Sequence, residues 1–293
     1  MNQEMVKVTI DGKEHEYAIG TTYREIVDEY QEEVAEAPVI LVMADGKLRE
    51  LQKKLKGDCT LEFVTTKDHI GFETYKRTVC LVLLRAIYDV AGKENIEKVM
   101  IHYSVGNGYY FTMAGKAVLD QHFLDNVKTR MQELADMCTP IGKRSVNTDD
   151  AVSLFHHHRM YDKEKLFRYR RSSRVNIYEL DHYKDYFYGF MVPSTGYLRY
   201  YDVTAYQDGF VLLFPGKEAK KVSEFVPSDK LFFTLKRSRD WGKLQQIDTI
   251  GALNDAIAAG KTQEMILTQE ALFEERIGAL AEMIVKEEGK KFI

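Results

Sequence analysis

The sequence predicts an α+β protein with more than one domain. Asp-Gly and Asn-Gly pairs at Asp11-Gly12, Asp45-Gly46 and Asn107-Gly108 sit between short apolar runs, the local signature of antiparallel hairpins. Other segments repeat their apolar residues at helical spacing and stop at Gly or Pro. The 293 residues exceed what one small core organises, so at least two domains are expected. The net charge of −4 gives no global basic field to drive non-specific nucleic-acid binding. Cys59, Cys80 and Cys138 lie far apart without a C-x-x-C spacing, which argues for a reducing compartment and against a disulfide framework. The N-terminus is charged from Glu4, and the longest apolar run, near "CLVLL", is too short for a bilayer. A cytoplasmic protein with no membrane partner is therefore expected.

A first domain is expected over residues 1–67. A hairpin around Asp11-Gly12 leads to a helix, "TYREIVDEYQEE", with Thr21 as its cap and Tyr23, Ile26, Val27 and Tyr30 on one face. Strands "PVILVMA" and "CTLEFVT" follow. Hairpin, helix and further strands in about sixty residues is the order of a β-grasp, or ubiquitin-like, fold. Residues 1–66 hold 8 Lys and Arg against 14 Asp and Glu, so this unit is not expected to grip phosphates by charge alone.

Residues 68–230 form a larger α+β unit. "FETYKRTVCLVLLRAIYDVAG" is a helix ending at Gly92, apolar enough around its circumference to be buried on several sides. "KVMIHYSVGNGYYFTMA" reads as two strands turning at Asn107-Gly108, and "AVLDQHFLDNVKTRMQELADMC" as an amphipathic helix stopped near Pro140. "TDDAVSLFHHHRM" opens a short helix with Thr148 as cap, followed by strands "VNIYEL", "YFYGFMV", "YLRYYDVTAY" and "GFVLLFP". Residues 231–293 read as a helical connector. It has a short helix over "IDTIGALNDAIAAG" and a long one whose Ile266, Glu270, Phe273, Ile277, Leu280 and Ile284 share a mostly apolar face. The final "KKFI" has the look of a strand start without a partner, which predicts that the chain is part of a longer protein.

The segments "DGKEHEYAIGTT", "ADGKLRELQKKLKGDCTLEFVT", "YKRTVCLVLLRAI", "SVGNGYYF" and "YKDYFYGFMVPSTGYLR", spread over roughly residues 5–215, resemble the N-terminal half of threonyl-tRNA synthetases. There a TGS β-grasp domain precedes an α+β editing domain of the kind shared with alanyl-tRNA synthetases. The resemblance implies H-x-x-x-H early in the first editing-domain helix, and a Cys and a His four residues apart just before the P-S-T-G loop. Aligned here, the two His positions fall on Arg77 and Leu81, the Cys on Phe187 and the last His on Met191. A guanidinium does not deprotonate, Leu and Phe offer no lone pair, and a thioether is a poor ligand for a hard cation. The resemblance thus implies an editing fold that has kept its frame and lost its hydrolytic, metal-capable centre.

"SRDWGKLQQIDTIGALNDAIAAG" and "EALFEERIGALAEMI" resemble the connector of bacterial uridine kinase-like proteins, in which TGS and editing-like domains precede a P-loop nucleoside kinase. That resemblance implies a G-x-x-x-x-G-K-[ST] loop directly after "KKFI"; no such motif occurs in this chain. ATP and Mg2+ are then expected for the kinase domain and no cofactor for this chain, whose partner would be its own C-terminal kinase domain. Its role would be regulatory or binding. The alternative is a tRNA-binding or aminoacyl-tRNA editing module.

If the alignment holds, Arg77, Tyr109, Tyr110, Asp185, Tyr188, Ser194 and Thr195 line the old pocket. Arg77 would either pair with Asp185 and fill it or bind a small anionic ligand there. The strip 159–174 mixes Arg with Tyr and Phe, making Arg168, Arg170, Arg171 and Arg174 candidate RNA contacts. Against this stands a plain solvated strand pair with Arg packed on rings. His156, His157 and His158 are about 100° apart on a helix, so they read as helix-end histidines and no metal is expected.

Overall fold

The computed structural model describes residues 4–31, 37–216 and 221–287. It divides into two compact units, Met1–Val146 with Asn176–Leu235, and Asn147–Val175 with Lys236–Ile293. The segment 147–175, expected within the middle domain, groups with the C-terminal helices instead. "KKFI" lies outside the described residues.

In chain order, β1 (Met5–Ile10) and β2 (Lys13–Ala18) form the first hairpin. Asp11 and Gly12 both take left-handed φ values, 48° and 77°, the backbone of a type I′ turn. The following helix α1 (Tyr23–Tyr30) is capped by Thr22 rather than Thr21. Thr22 Oγ1 accepts the Glu25 N–H at 3.2 Å while the Glu25 carboxylate accepts the Thr22 N–H at 2.7 Å, a capping box that only Thr22 can close at three-residue spacing. Strands β3 (Val39–Ala44), β4 (Lys47–Glu50) and β5 (Cys59–Thr65) complete a sheet of order β2-β1-β5-β3-β4, in which β1 and β5 run parallel. Val8, Ile26, Val27, Val39, Leu51 and Leu61 close its core, each worth ~1.5–3 kcal/mol of transfer free energy. This is the expected β-grasp.

Helix α2 (His69–Ala91) follows directly. Gly71 lets its first turn approach β5: a Cβ there would sit 1.9 Å from the Thr65 carbonyl oxygen. Val79–Ala86 run almost wholly buried, as its continuous apolar sequence predicts. Strands β6 (Ile96–Val105) and β7 (Gly108–Gly115) then form a hairpin. It turns at Gly106-Asn107, one residue earlier than expected, because Gly108 already pairs with Leu213. Next come α3 (Gln121–Asp136), β8 (Gly142–Asn147), α4 (Thr148–His157), α5 (Tyr161–Arg168), β9 (Arg174–Leu180), β10 (Tyr183–Asp185), β11 (Asp202–Tyr206) and β12 (Gly209–Leu213). The sheets are β10-β9-β8 and β11-β12-β7-β6. The expected strand over "YFYGFMV" does not form, and residues 186–194 are irregular chain between β10 and a short 3-10 turn at Thr195–Tyr197. The expected strand from Tyr197 begins only at Asp202.

The last described helices are α6 (Asp229–Leu244), an element beyond the two helices expected there, α7 (Ile250–Ala258) and α8 (Thr262–Lys286). Within the first unit, Phe232 at the start of α6 is fully buried among Tyr103, Tyr110, Tyr206 and Phe225. In the second unit α5 meets α7, with the Tyr169 hydroxyl donating to Asp255 at 2.6 Å and the Phe155 and Phe167 rings 5.0 Å apart. Asn147, not Thr148, stands at the cap of α4, since the Thr148 hydroxyl donates to the Ser172 carbonyl. Among the described residues of α8 none is buried, and Ile266, Phe273, Ile277, Leu280 and Ile284 are all exposed. Among the described residues no helix is long and apolar enough to cross a membrane.

Candidate binding site

Helix α2 lies against the irregular segment 186–193, and Arg77 is the residue that joins them. Its Nη1 donates to the Phe190 carbonyl at 2.9 Å. Gly189, at φ +116°, makes room for it: a Cβ there would stand 2.7 Å from the guanidinium carbon. One residue on, the Thr78 hydroxyl donates to the Thr74 carbonyl at 2.8 Å and accepts the Val192 N–H at 3.1 Å. Met191 Sδ lies 3.4 Å from the same hydroxyl, and Met191 and Leu81 are buried. Three of the four aligned positions therefore serve as seat or packing: Arg77 on the loop backbone, Leu81 and Met191 in the interior. Phe187 is half-buried.

The rest of the expected pocket does not assemble around Arg77. Tyr109 and Tyr110 are adjacent on β7, so their side chains leave opposite faces of the sheet. Tyr109 lies under the Lys76 ammonium, 5.3 Å from its ring centre, and edge-on to Phe214 at 4.9 Å. Tyr110 is fully buried on the other face, its hydroxyl donating to Asp208 and its ring 5.0 Å from Phe232. It is a core residue, not a lining one. Asp185 is buried and accepts from the Tyr183 hydroxyl at 3.0 Å and the Tyr186 N–H at 2.6 Å. The contact that seats Arg77 is to a main-chain carbonyl, in place of the Asp185 pair expected as one way of filling the pocket. Tyr188 is 81% exposed and points out. Ser194 and Thr195 are buried as anchors of the loop to the end of α3. Ser194 bridges Pro140, and the Thr195 hydroxyl donates to the Leu134 carbonyl.

The residues the sequence did not single out lie beside this loop. Glu50, at the end of β4 and only 2% exposed, accepts from Lys143 Nζ at 2.9 Å. The Tyr178 hydroxyl lies 3.0 Å from the other Glu50 oxygen and 2.5 Å from the Gly189 carbonyl, with one proton to share between them. Burial, and then the Glu50 charge, pushes the Tyr178 phenol well above its ordinary range, so it stays a donor. Lys143 also stands over the rings of Phe190 and Tyr178, 5.1 and 5.4 Å from their centres. Glu50, Lys143, Tyr178, the Gly189 carbonyl and the Phe190 ring thus form one node that ties the β-grasp to the loop that seats Arg77. Glu50 and Lys143 are 93 residues apart, and neither has a sequence neighbourhood different from a solvated charged turn.

In the second unit the basic strip is not a strand pair. Residues 161–168 are α5, followed by a loop. Arg168 donates to Glu164, Arg170 lies 5.6 Å from the Phe167 ring centre, and Arg174 donates to Asn147 at 3.1 Å. Arg171 is exposed. His156 Nδ1 donates to the Glu164 carboxylate at 3.0 Å, and the rings of His157 and His158 pack edge to face. Among the described residues no three His, Cys, Asp or Glu side chains converge as ligands for a metal ion.

Known proteins support the architecture. Over 198 residues, 67% of this chain, it is 30% identical to threonine-tRNA ligase of Thermotoga petrophila. Over 195 residues it is 26% identical to the ligase of Halorhodospira halophila, and over 194 residues 24% identical to that of Francisella tularensis subsp. novicida. The matches cover 30% of each relative, so the chain spans a little under a third of the length of the ligases it resembles. No protein-family profile matches the chain. The chain thus contains an α+β region similar to part of these threonine-tRNA ligases.

Proposed function

We propose that this region binds tRNA without hydrolysing its ester, as a binding relative of the synthetase editing module. The observation that carries this reading is Arg77. It stands where the resemblance places a metal-capable His, and its guanidinium is spent on the loop's own Phe190 carbonyl. Leu81 and Met191 offer no base and no ligand for a hard cation, and both are packed away. None of the four described positions aligned with the editing centre supplies a group to activate water, while the frame around them is kept. The similarity to threonine-tRNA ligases over two thirds of the chain supports tRNA as the ligand class. The test is anisotropy of a labelled threonine-type tRNA transcript titrated with the full chain. Saturable binding at low salt that weakens linearly in log–log with added salt is expected; no binding at low salt overturns the reading.

A second reading places the same region at the front of a uridine (nucleoside) kinase-like protein. There it would regulate or position a P-loop domain that itself uses ATP and Mg2+. The connector resemblance supports this, as do the exposed apolar residues along α8, which give a further body something to pack on. ATP-dependent phosphorylation of nucleosides by the full reading frame would support it, and a reading frame without a P-loop would remove it.

A further inference from the structure

Five of the eight cations in residues 1–66 fall in the ten residues 47–56, although that unit is acidic as a whole. Lys47 and Arg49 leave the same face of the edge strand β4, and Lys53, Lys54 and Lys56 follow on the loop to β5. All five line a cleft of about 500 Å³, closed on its other side by Lys143 and Phe190. Lys143 is committed to Glu50, but none of the other five makes an ion pair among the described residues. Asp45 and Asp58 also line the cleft, accepting the Thr60 and Lys7 N–H groups at 2.8 Å and keeping their charge, so that with Glu50 the lining sets three carboxylates against six cations.

The basic loop is also held in place. Leu51 and Leu55 are buried in the β-grasp core. The Leu55 N–H donates to Thr21 at 2.8 Å, and the Tyr23 and Arg24 N–H groups donate to Lys53 and Leu51 at 3.0 and 2.8 Å. Cations gathered on a fixed backbone, in excess of the carboxylates beside them and without ion pairs of their own, repel one another until an anion enters, and little ordering remains to oppose its binding. The volume suits a small ligand or a short stretch of backbone, and five cations exceed what one phosphate engages.

We propose that this cleft binds a phosphate-rich anion bearing two or more phosphates, with Arg49, Lys53 and Lys54 as its principal contacts. The phosphates come from a free nucleotide or from an RNA backbone. The site adjoins the loop that seats Arg77 through Phe190, but Arg77 is not among its lining residues, and it does not depend on tRNA being the ligand of that loop.

The test is calorimetric titration of the full chain at low salt with sodium tripolyphosphate, ATP and a tRNA transcript. The variants are Lys53→Glu/Lys54→Glu and the control Lys13→Glu/Lys116→Glu, which alters the same net charge outside the cleft. The cleft variant is expected to lose roughly tenfold or more in affinity, while the control stays within about twofold. A selective loss with tripolyphosphate or ATP assigns the site to free nucleotide; one seen with tRNA alone assigns it to RNA backbone. Should charge reversal disturb the fold, Lys53→Gln/Lys54→Gln replaces it, with roughly threefold expected. The proposal is overturned if no ligand binds, or if both variants weaken every ligand equally. Binding of tRNA unchanged by the cleft variant, with no loss for tripolyphosphate or ATP either, would leave the RNA reading standing and remove the cleft; tripolyphosphate binding lost in that variant, with no tRNA binding, would do the reverse.

Discussion

Glu50→Ala is expected to destabilise the first unit by about 3–5 kcal/mol, the cost of stranding a buried charge partner. Lys143 has only 15% of its side chain exposed, and its carboxylate partner at 2.9 Å is 2% exposed. Removing Glu50 leaves the ammonium with ring faces and little water, and takes one acceptor from the Tyr178 hydroxyl. Glu50→Gln keeps an acceptor for Tyr178 and is expected to cost less, about 1–3 kcal/mol. Glu50→Leu/Lys143→Met removes both charges together and is expected to lie much nearer the wild type than either single change, because the desolvation cost leaves with the pair. Urea midpoints at constant m-value check all three. A loss below about 1 kcal/mol for Glu50→Ala would mean that the pair behaves as an exposed one and that the node does not tie the β-grasp to the Arg77 loop.

Phe232→Ala is expected to cost about 3–5 kcal/mol, since a fully buried ring is removed from a packed aromatic group. Phe232 lies 5.0 Å from both the Tyr110 and Tyr206 rings and 6.3 Å from Tyr103. The Tyr206 hydroxyl donates to Asp229 at 2.8 Å, so the same group fixes the start of α6. Phe232→Leu fills part of the space and should cost clearly less. The thermal midpoint measures the effect. A near-neutral Phe232→Ala would return Tyr110 to the pocket, where the sequence alone placed it.

What could be read from the sequence was what local chemistry determines. Asp11-Gly12 and Asp45-Gly46 turn where they were expected because both residues need left-handed backbone. Gly92 ends α2 for the same reason. The caps slipped by one residue, to Thr22 and Asn147, because neighbouring polar residues compete and only geometry decides. Residues 186–192 are aromatic and apolar like a buried strand, yet their backbone is taken up by Arg77, Thr78 and Tyr178 from other elements. Residues 161–168 became helix through Phe155 meeting Phe167, a tertiary contact that charge pattern does not announce. Arg77 was legible as the changed residue of a known frame. Its partner was not, because a main-chain carbonyl 113 residues away leaves no trace in side-chain identity. The cleft was hidden by averaging: the acidic total of the first unit conceals five cations gathered on one loop and one edge strand.

The central claim is that the frame binds and does not cleave. Its most direct measurement is the decay of a threonine-type tRNA carrying the wrong amino acid, followed at a protein concentration that saturates binding. Ester loss at the same rate with and without protein, alongside demonstrable tRNA binding, is the predicted result. Saturable turnover above background, abolished by Arg77→Ala, would contradict it and return the Arg77 loop to catalysis.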